Sequence, residues 1–143
     1  MLKIDTRYGP AELKVYSNGG LYVVYTQPIV VNKVTYRSVT LSHRDYSGRL
    51  HGEVSGYRNS HNDISPAARK ALLEELERLR LTYATPEARR QAQLDVLEHR
   101  VKQCSSDVEQ AERKWHEALS ALEAASAELA AFPGLDQLQP GAA

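Results

Sequence analysis

The chain has 143 residues with 18 basic and 18 acidic side chains, so its formal net charge is zero. Balance of this kind argues against nucleic-acid binding driven by bulk charge, and no apolar run reaches the roughly 20 residues of a membrane-spanning helix. A lone cysteine, Cys104, excludes an internal disulfide and any zinc site built from several thiolates.

The opening residues Met1-Leu2-Lys3-Ile4-Asp5 lack the apolar core of a secretory signal, so a cytoplasmic address is expected. Residues 1–64 hold seven of the eight tyrosines and six of the eight glycines, with eight basic against five acidic side chains, a net of +3. Residues 65–143 have ten basic and thirteen acidic groups, a net of −3, and are rich in Ala, Leu, Glu and Gln. These are strong helix formers, and the switch near Ser65 divides a β region, 1–64, from a helical region, 65–132.

In the first region Leu2 and Ile4 form a short opening strand. Glu12–Ser17 and Leu21–Gln27 are rich in β-branched and aromatic residues and flank Asn18-Gly19-Gly20, a hairpin turn that supplies positive φ. Pro28 donates no ladder hydrogen bond and marks a strand end or an edge. A third strand, Val34–Leu41, sets Tyr36, Ser38 and Thr40 on one face and Arg37, Val39 and Leu41 on the other. A polar tip, Ser42–Arg49, leads into a fourth strand at Leu50–Gly56.

Ser65 before Pro66 is a helix N-cap, and Leu72, Leu73, Leu76 and Leu79 form the apolar stripe of a helix over about 66–82. Thr85-Pro86-Glu87 repeats the start signal. With Leu94 as position a, the a series is Leu94, Val101, Val108, Trp115, Leu122 and Leu129. The d series is Leu97, Cys104, Ala111, Ala118, Ala125 and Phe132. Twelve uncharged seam positions over nearly six heptads are a coiled-coil or long helical-hairpin pattern. The phase runs through Cys104-Ser105-Ser106-Asp107, yet Ser106 with Glu109 also fits a capping box, so one helix over about 86–132 and a break near 104–107 both stand. Residues 133–143, with Gly134, Pro140 and Gly141, read as a loose tail. The fold class is therefore α+β: an antiparallel sheet of four or five strands covered by a short helix, then a long coiled-coil-like helical arm.

A continuous arm would be about 70 Å long, and the preceding helix could cover only about 25 Å of it. Leu94, Leu97, Val101, Val108, Trp115, Leu122, Leu129 and Phe132 then need a second copy of the chain, giving a homodimer, or a foreign protein to cover them. Arg100 and Asp107 at g and Glu112 at e form no consistent parallel ion-pair ladder.

The chemistry-bearing residues are few. His43, His51, His61 and Asp63 are metal-ligand types, but their spacing fits no zinc pattern, so no metal or other cofactor is expected. His61-Asn62-Asp63 ahead of a helix lacks the partner ligands of a metal-dependent nuclease. His43, Arg44 and Tyr46, with Arg49 and His51, are the residue types of a metal-independent ribonuclease, the lesser alternative. Tyr36, Arg37, Arg44, Tyr46 and Arg49 are types that dominate protein interfaces and also stack on or pair with nucleic acid. Tyr16, Tyr22, Tyr25 and Tyr36 equally suit the core of a thin sheet. The modest +3 favours a protein partner over nucleic acid, and the reading is a non-enzymatic interaction module.

In size and organisation, a compact sheet bearing Tyr and Arg joined to a helical arm with no catalytic constellation, the chain resembles some anti-CRISPR inhibitors of phages and mobile elements. The resemblance implies binding to a nucleoprotein effector complex and blocking it. No family motif is matched, and no functional residue carries over.

Overall fold

A computed structural model describes residues 1–134. Strands β1 (Leu2–Thr6), β2 (Gly9–Val15), β3 (Leu21–Tyr25), β4 (Ile29–Val31), β5 (Val34–Tyr46) and β6 (Arg49–Tyr57) precede helices α1 (Pro66–Tyr83) and α2 (Pro86–Ala130). The class is α+β, with every strand pairing antiparallel. The expected tail lies, beyond Gly134, outside the described residues. The chain forms two compact units, Met1–Leu97 and Glu98–Ala143, so α1 belongs with the sheet. No described helix is long and apolar enough to cross a membrane.

In the first unit the strands run β1-β2-β3-β5, with β4 and β6 also paired to β5. The β2–β3 turn is the expected one: Gly19 has φ +88°, and the Asn18 side chain accepts from the Gly20 N–H at 2.9 Å. Three features depart from the sequence reading, each for a local reason. A short strand not expected from the sequence, β4, follows Pro28, which lies between strands at an edge as expected, and Asn32 and Lys33 turn into β5 with φ 52° and 66°. The polar tip is not an eight-residue loop. β5 and β6 stay paired to Tyr46↔Arg49, because Ser47 and Gly48 (φ 54° and 78°) have the paired positive φ of a two-residue hairpin turn.

The third departure is a bulge in β5. The register with β6 shifts between Arg37 and Thr40, and Ser38 takes φ 51°. One extra residue reverses the side-chain alternation. Tyr36, Val39 and Leu41 are consequently all buried, at 2%, 1% and 0% exposure, where simple alternation put Tyr36 on the opposite face. Opposite the bulge, Gly56 has φ +153°, and a Cβ there would sit 3.0 Å from Val39 Cγ2 and 3.2 Å from the Arg37 carbonyl oxygen.

Helix α1 closes the core. Ser65 caps it by accepting from the Ala68 N–H at 3.2 Å, and Tyr36 from the sheet donates its hydroxyl to Ser65 Oγ at 3.3 Å. Ala68, Leu72, Leu76 and Leu79 are fully buried among Leu13, Leu21, Val23 and Leu41, while Leu73 is half-buried. The helix approaches β6 so closely that a Cβ at Gly52 would lie 2.7 Å from Leu73 Cδ2. Ala84 donates back to the Arg80 carbonyl at 3.0 Å, and Thr85 caps α2 by accepting from the Ala88 N–H at 3.2 Å. Helix α2 then runs unbroken through Ser105–Asp107 for 45 residues, about 67 Å at ~1.5 Å per residue, with no buried residue. The alternative of a break near 104–107 is thus resolved as one helix.

One charge sits inside the first unit. Glu75 of α1 is 2% exposed; its carboxylate accepts from the Arg7 backbone N–H at 2.6 Å and from Arg78 Nε. It ties the β1–β2 turn to the helix. Burial pushes its pKa up, but the Arg78 hydrogen bond and the Arg7 N–H outweigh burial and hold the carboxyl below its ordinary value. A carboxyl depressed in the folded state stabilises above its unfolded pKa, and that contribution is lost as pH falls through the folded value. Glu75→Ala should cost about 1–3 kcal/mol at neutral pH by leaving the Arg7 N–H unpartnered. Glu75→Gln should flatten the acid side of the stability profile. Urea unfolding followed by the near-UV tyrosine signal from pH 3 to 7 measures both.

Candidate interaction surfaces

The first surface is the tip of the β5–β6 hairpin. Cross-strand pairs Ser42↔Glu53, Arg44↔His51 and Tyr46↔Arg49 put six side chains on one face of the ribbon. Arg44 Nε lies 3.0 Å from Glu53 Oε2, and the Tyr46 hydroxyl donates to Glu53 Oε1 at 3.4 Å. The Tyr46 and His51 rings tilt against each other with centroids 5.6 Å apart. Arg44, Tyr46 and Arg49 are exposed and gathered, as a contact surface requires. Tyr36 and Arg37 do not join them. Tyr36 is buried against Ser65, and Arg37 is exposed beyond the bulge, paired with Tyr57. Sequence reasoning missed Glu53, which organises the cluster; its signal was a lone acid two strand positions from His51.

The opposite face of the ribbon faces α1. His43 pairs with Gly52, the residue that α1 approaches. Its Nδ1 accepts the Leu21 N–H at 2.9 Å. His43 therefore does not share a face with Arg44 and Tyr46, and one ring nitrogen is committed to the backbone. Likewise the Asp63 carboxylate accepts from the Arg58, Asn59 and Ser60 N–H groups, the last two at 2.7 and 3.1 Å. These bonds, the Arg58 one foremost, hold its carboxyl below the ordinary range and shape the loop before α1. No described group of three His, Cys, Asp or Glu residues could hold a metal ion.

The second surface lies in the second unit, on α2. Val101, Val108, Trp115, Leu122 and Leu129 are 57–65% exposed, and Phe132 just past the helix is 59% exposed. Between them the d positions Cys104, Ala111, Ala118 and Ala125 are small, so the stripe alternates large and small along one side. Around Cys104 this leaves a shallow groove, floored by Val101, Cys104, Ser105 and Val108 and edged by Arg100, Glu109 and Glu112. The remaining seam residues, Leu94 and Leu97, lie on the same helix in the first unit at 47% and 45% exposure.

No protein-family model, curated protein or solved structure matches the chain.

The His43 contact generates a pH prediction. Burial first, then Arg80, against a weaker opposing effect of Glu77, lowers the His43 pKa from 6.5. A histidine depressed in the fold stabilises above its unfolded pKa, and that contribution is lost as pH falls through the folded value. In an NMR titration the His43 ring should protonate below pH 6.5, with the Leu21 amide resonance moving in step. Titration at or above 6.5 would contradict the burial of the ring beside Arg80.

Proposed function

We propose that the protein is a non-enzymatic protein-interaction module whose principal docking surface is the apolar seam of α2. The observation that carries this reading is a row of large apolar side chains more than half exposed on a helix with nothing buried. A row of large apolar side chains exposed in this way along one side of a helix is the kind of surface that marks an interaction site. A seam in unbroken heptad phase is suited to one kind of surface, another helix.

The hairpin tip supplies a second contact face. Tyr and Arg are the anchors most enriched in protein interfaces, and here they are held by Glu53 rather than left free. The Arg44–Glu53 pair also neutralises one of the two arginines on this face, which supports a protein rather than a nucleic-acid partner for it. Inhibition of a larger nucleoprotein complex, the role of the anti-CRISPR proteins that the chain resembles in organisation, is one form such a module takes.

The variant Trp115→Glu/Leu122→Glu tests the reading by light scattering. The parent should scatter as an assembly heavier than 16.0 kDa. The variant should fall to the single-chain mass with its helical circular dichroism unchanged. A variant that stays assembled at the parent's mass would contradict the reading.

A further inference from the structure

We propose that the helix covering this seam belongs to a second copy of the chain, running antiparallel, in the register that seats Trp115 in the groove over the partner's Cys104. The proposal rests on the docking reading above and adds the occupant, its direction and its alignment. Three independent features of residues 98–132 lead to it.

The first is size. In a parallel, in-register pair the a positions face each other, as do the d positions. Trp115 would then meet the partner's Trp115, and Val108 the partner's Val108, while Ala111 and Ala118 would meet alanines. Layers would alternate between crowded and empty, and close-packed interiors tolerate neither. Antiparallel helices instead set a against d. Across 101–118 each large side chain then meets a small one: Val101 the partner's Ala118, Val108 the partner's Ala111, Trp115 the partner's Cys104, with three more layers by two-fold symmetry; beyond that central stretch Leu122 meets the partner's Leu97 and Leu129 the partner's Arg90. Large facing small is what lets layers interdigitate.

The second is charge. In the parallel pair the only two formal charges brought together across the seam are Asp107 at g and the partner's Glu112 at e, which repel, twice. In the proposed antiparallel register g faces g, and Asp107 meets the partner's Lys114, twice. Arg100 meets the partner's Ala121, and Glu112 meets the partner's Ser105, which can donate to it. Sliding by one heptad one way gains Arg100 against the partner's Glu128 but sets Lys114 and Glu112 each against its own copy. Sliding the other way sets Arg100 against the partner's Lys114 and Asp107 against its own copy. Like charges so placed destabilise, and the chosen register has none.

The third is shape. A depression exists on α2 where this register needs a receptor for the indole: Val101, Cys104, Ser105 and Val108 floor it, and Arg100 stands at its edge. The smallness of Cys104 and Ser105 makes room between two valines. Trp115 is the sole tryptophan and is 62% exposed in the single chain, so its burial there removes the largest apolar side chain of the seam from water.

The single cysteine makes the test direct. In the proposed dimer the two Cys104 residues are offset by eleven residues, about 16 Å along the helix, too far for a disulfide. The parent, treated with diamide, should therefore scatter as a dimer of 16.0 kDa chains yet run as a single chain on a non-reducing gel. Trp115→Cys places a thiol opposite the partner's Cys104 and should cross-link to a covalent dimer at once.

A second measurement covers the case in which loss of the indole weakens pairing. Ala127 lies on the outer face of the helix; a spin label there, in an Ala127→Cys/Cys104→Ala chain, should lie about 50 Å from its counterpart. About 40 Å or about 60 Å would mean a one-heptad slide, one way or the other, and would overturn the register. Under about 25 Å, the span of two adjacent helices, or an oxidised Cys104–Cys104 dimer of the parent, would mean a parallel pair and overturn the direction. Each of those results leaves the docking reading intact provided the charged variants still dissociate. A parent that stays at 16.0 kDa overturns the second copy as occupant.

Discussion

An amphipathic helix is stable in water only when something covers its apolar stripe, and in this chain the sheet has a single buried face to offer. Helix α1 takes it. Ala68, Leu72, Leu76 and Leu79 fill the space over β3, β5 and β6, and Gly52 has no Cβ so that Leu73 can lie close. The core of the first unit is complete without α2. Helix α2 carries its own stripe from Leu94 to Leu129, and none of its residues is buried. Both functional proposals follow from that division of apolar surface between the two helices.

The first unit also shows how a thin sheet is made specific. Tyr25 sits in the core with its hydroxyl accepting from Thr6 at 3.1 Å, and burial raises its pKa to about 12. Tyr36 reaches the α1 cap, and Glu75 binds the far turn. No buried side-chain polar atom among the described residues lacks a partner. Such groups fix one way of placing α1 on the sheet, whereas apolar packing alone tolerates several.

Signals that live in a few adjacent residues were legible in the sequence. Asn18-Gly19-Gly20, Ser65-Pro66 and Thr85-Pro86 each name a local backbone state, and the structure has each where expected. The heptad phase was legible too, because it is repeated often enough to outweigh the turn-like Ser105-Ser106-Asp107. The bulge was not. A single inserted residue in β5 reverses the alternation, and only the pairing with β6 reveals it, which is why alternation sets Tyr36 opposite Val39 and Leu41 although all three are buried. β4 is three residues long and follows a proline, too short for any periodicity to register. Glu53 was harder to read for a related reason: it acquires meaning only from Arg44 and Tyr46 across from it on the neighbouring strand.

Trp115 reports on the central claim by itself, since no other tryptophan contributes to the emission. The decisive measurement is its fluorescence, with acrylamide quenching, over a dilution series of the parent chain. The account predicts a blue-shifted, quencher-protected indole at high concentration that passes to a solvated one on dilution, with Leu122→Glu solvated throughout. An indole that emits as fully solvated at every concentration would mean that the seam is not buried by a second copy.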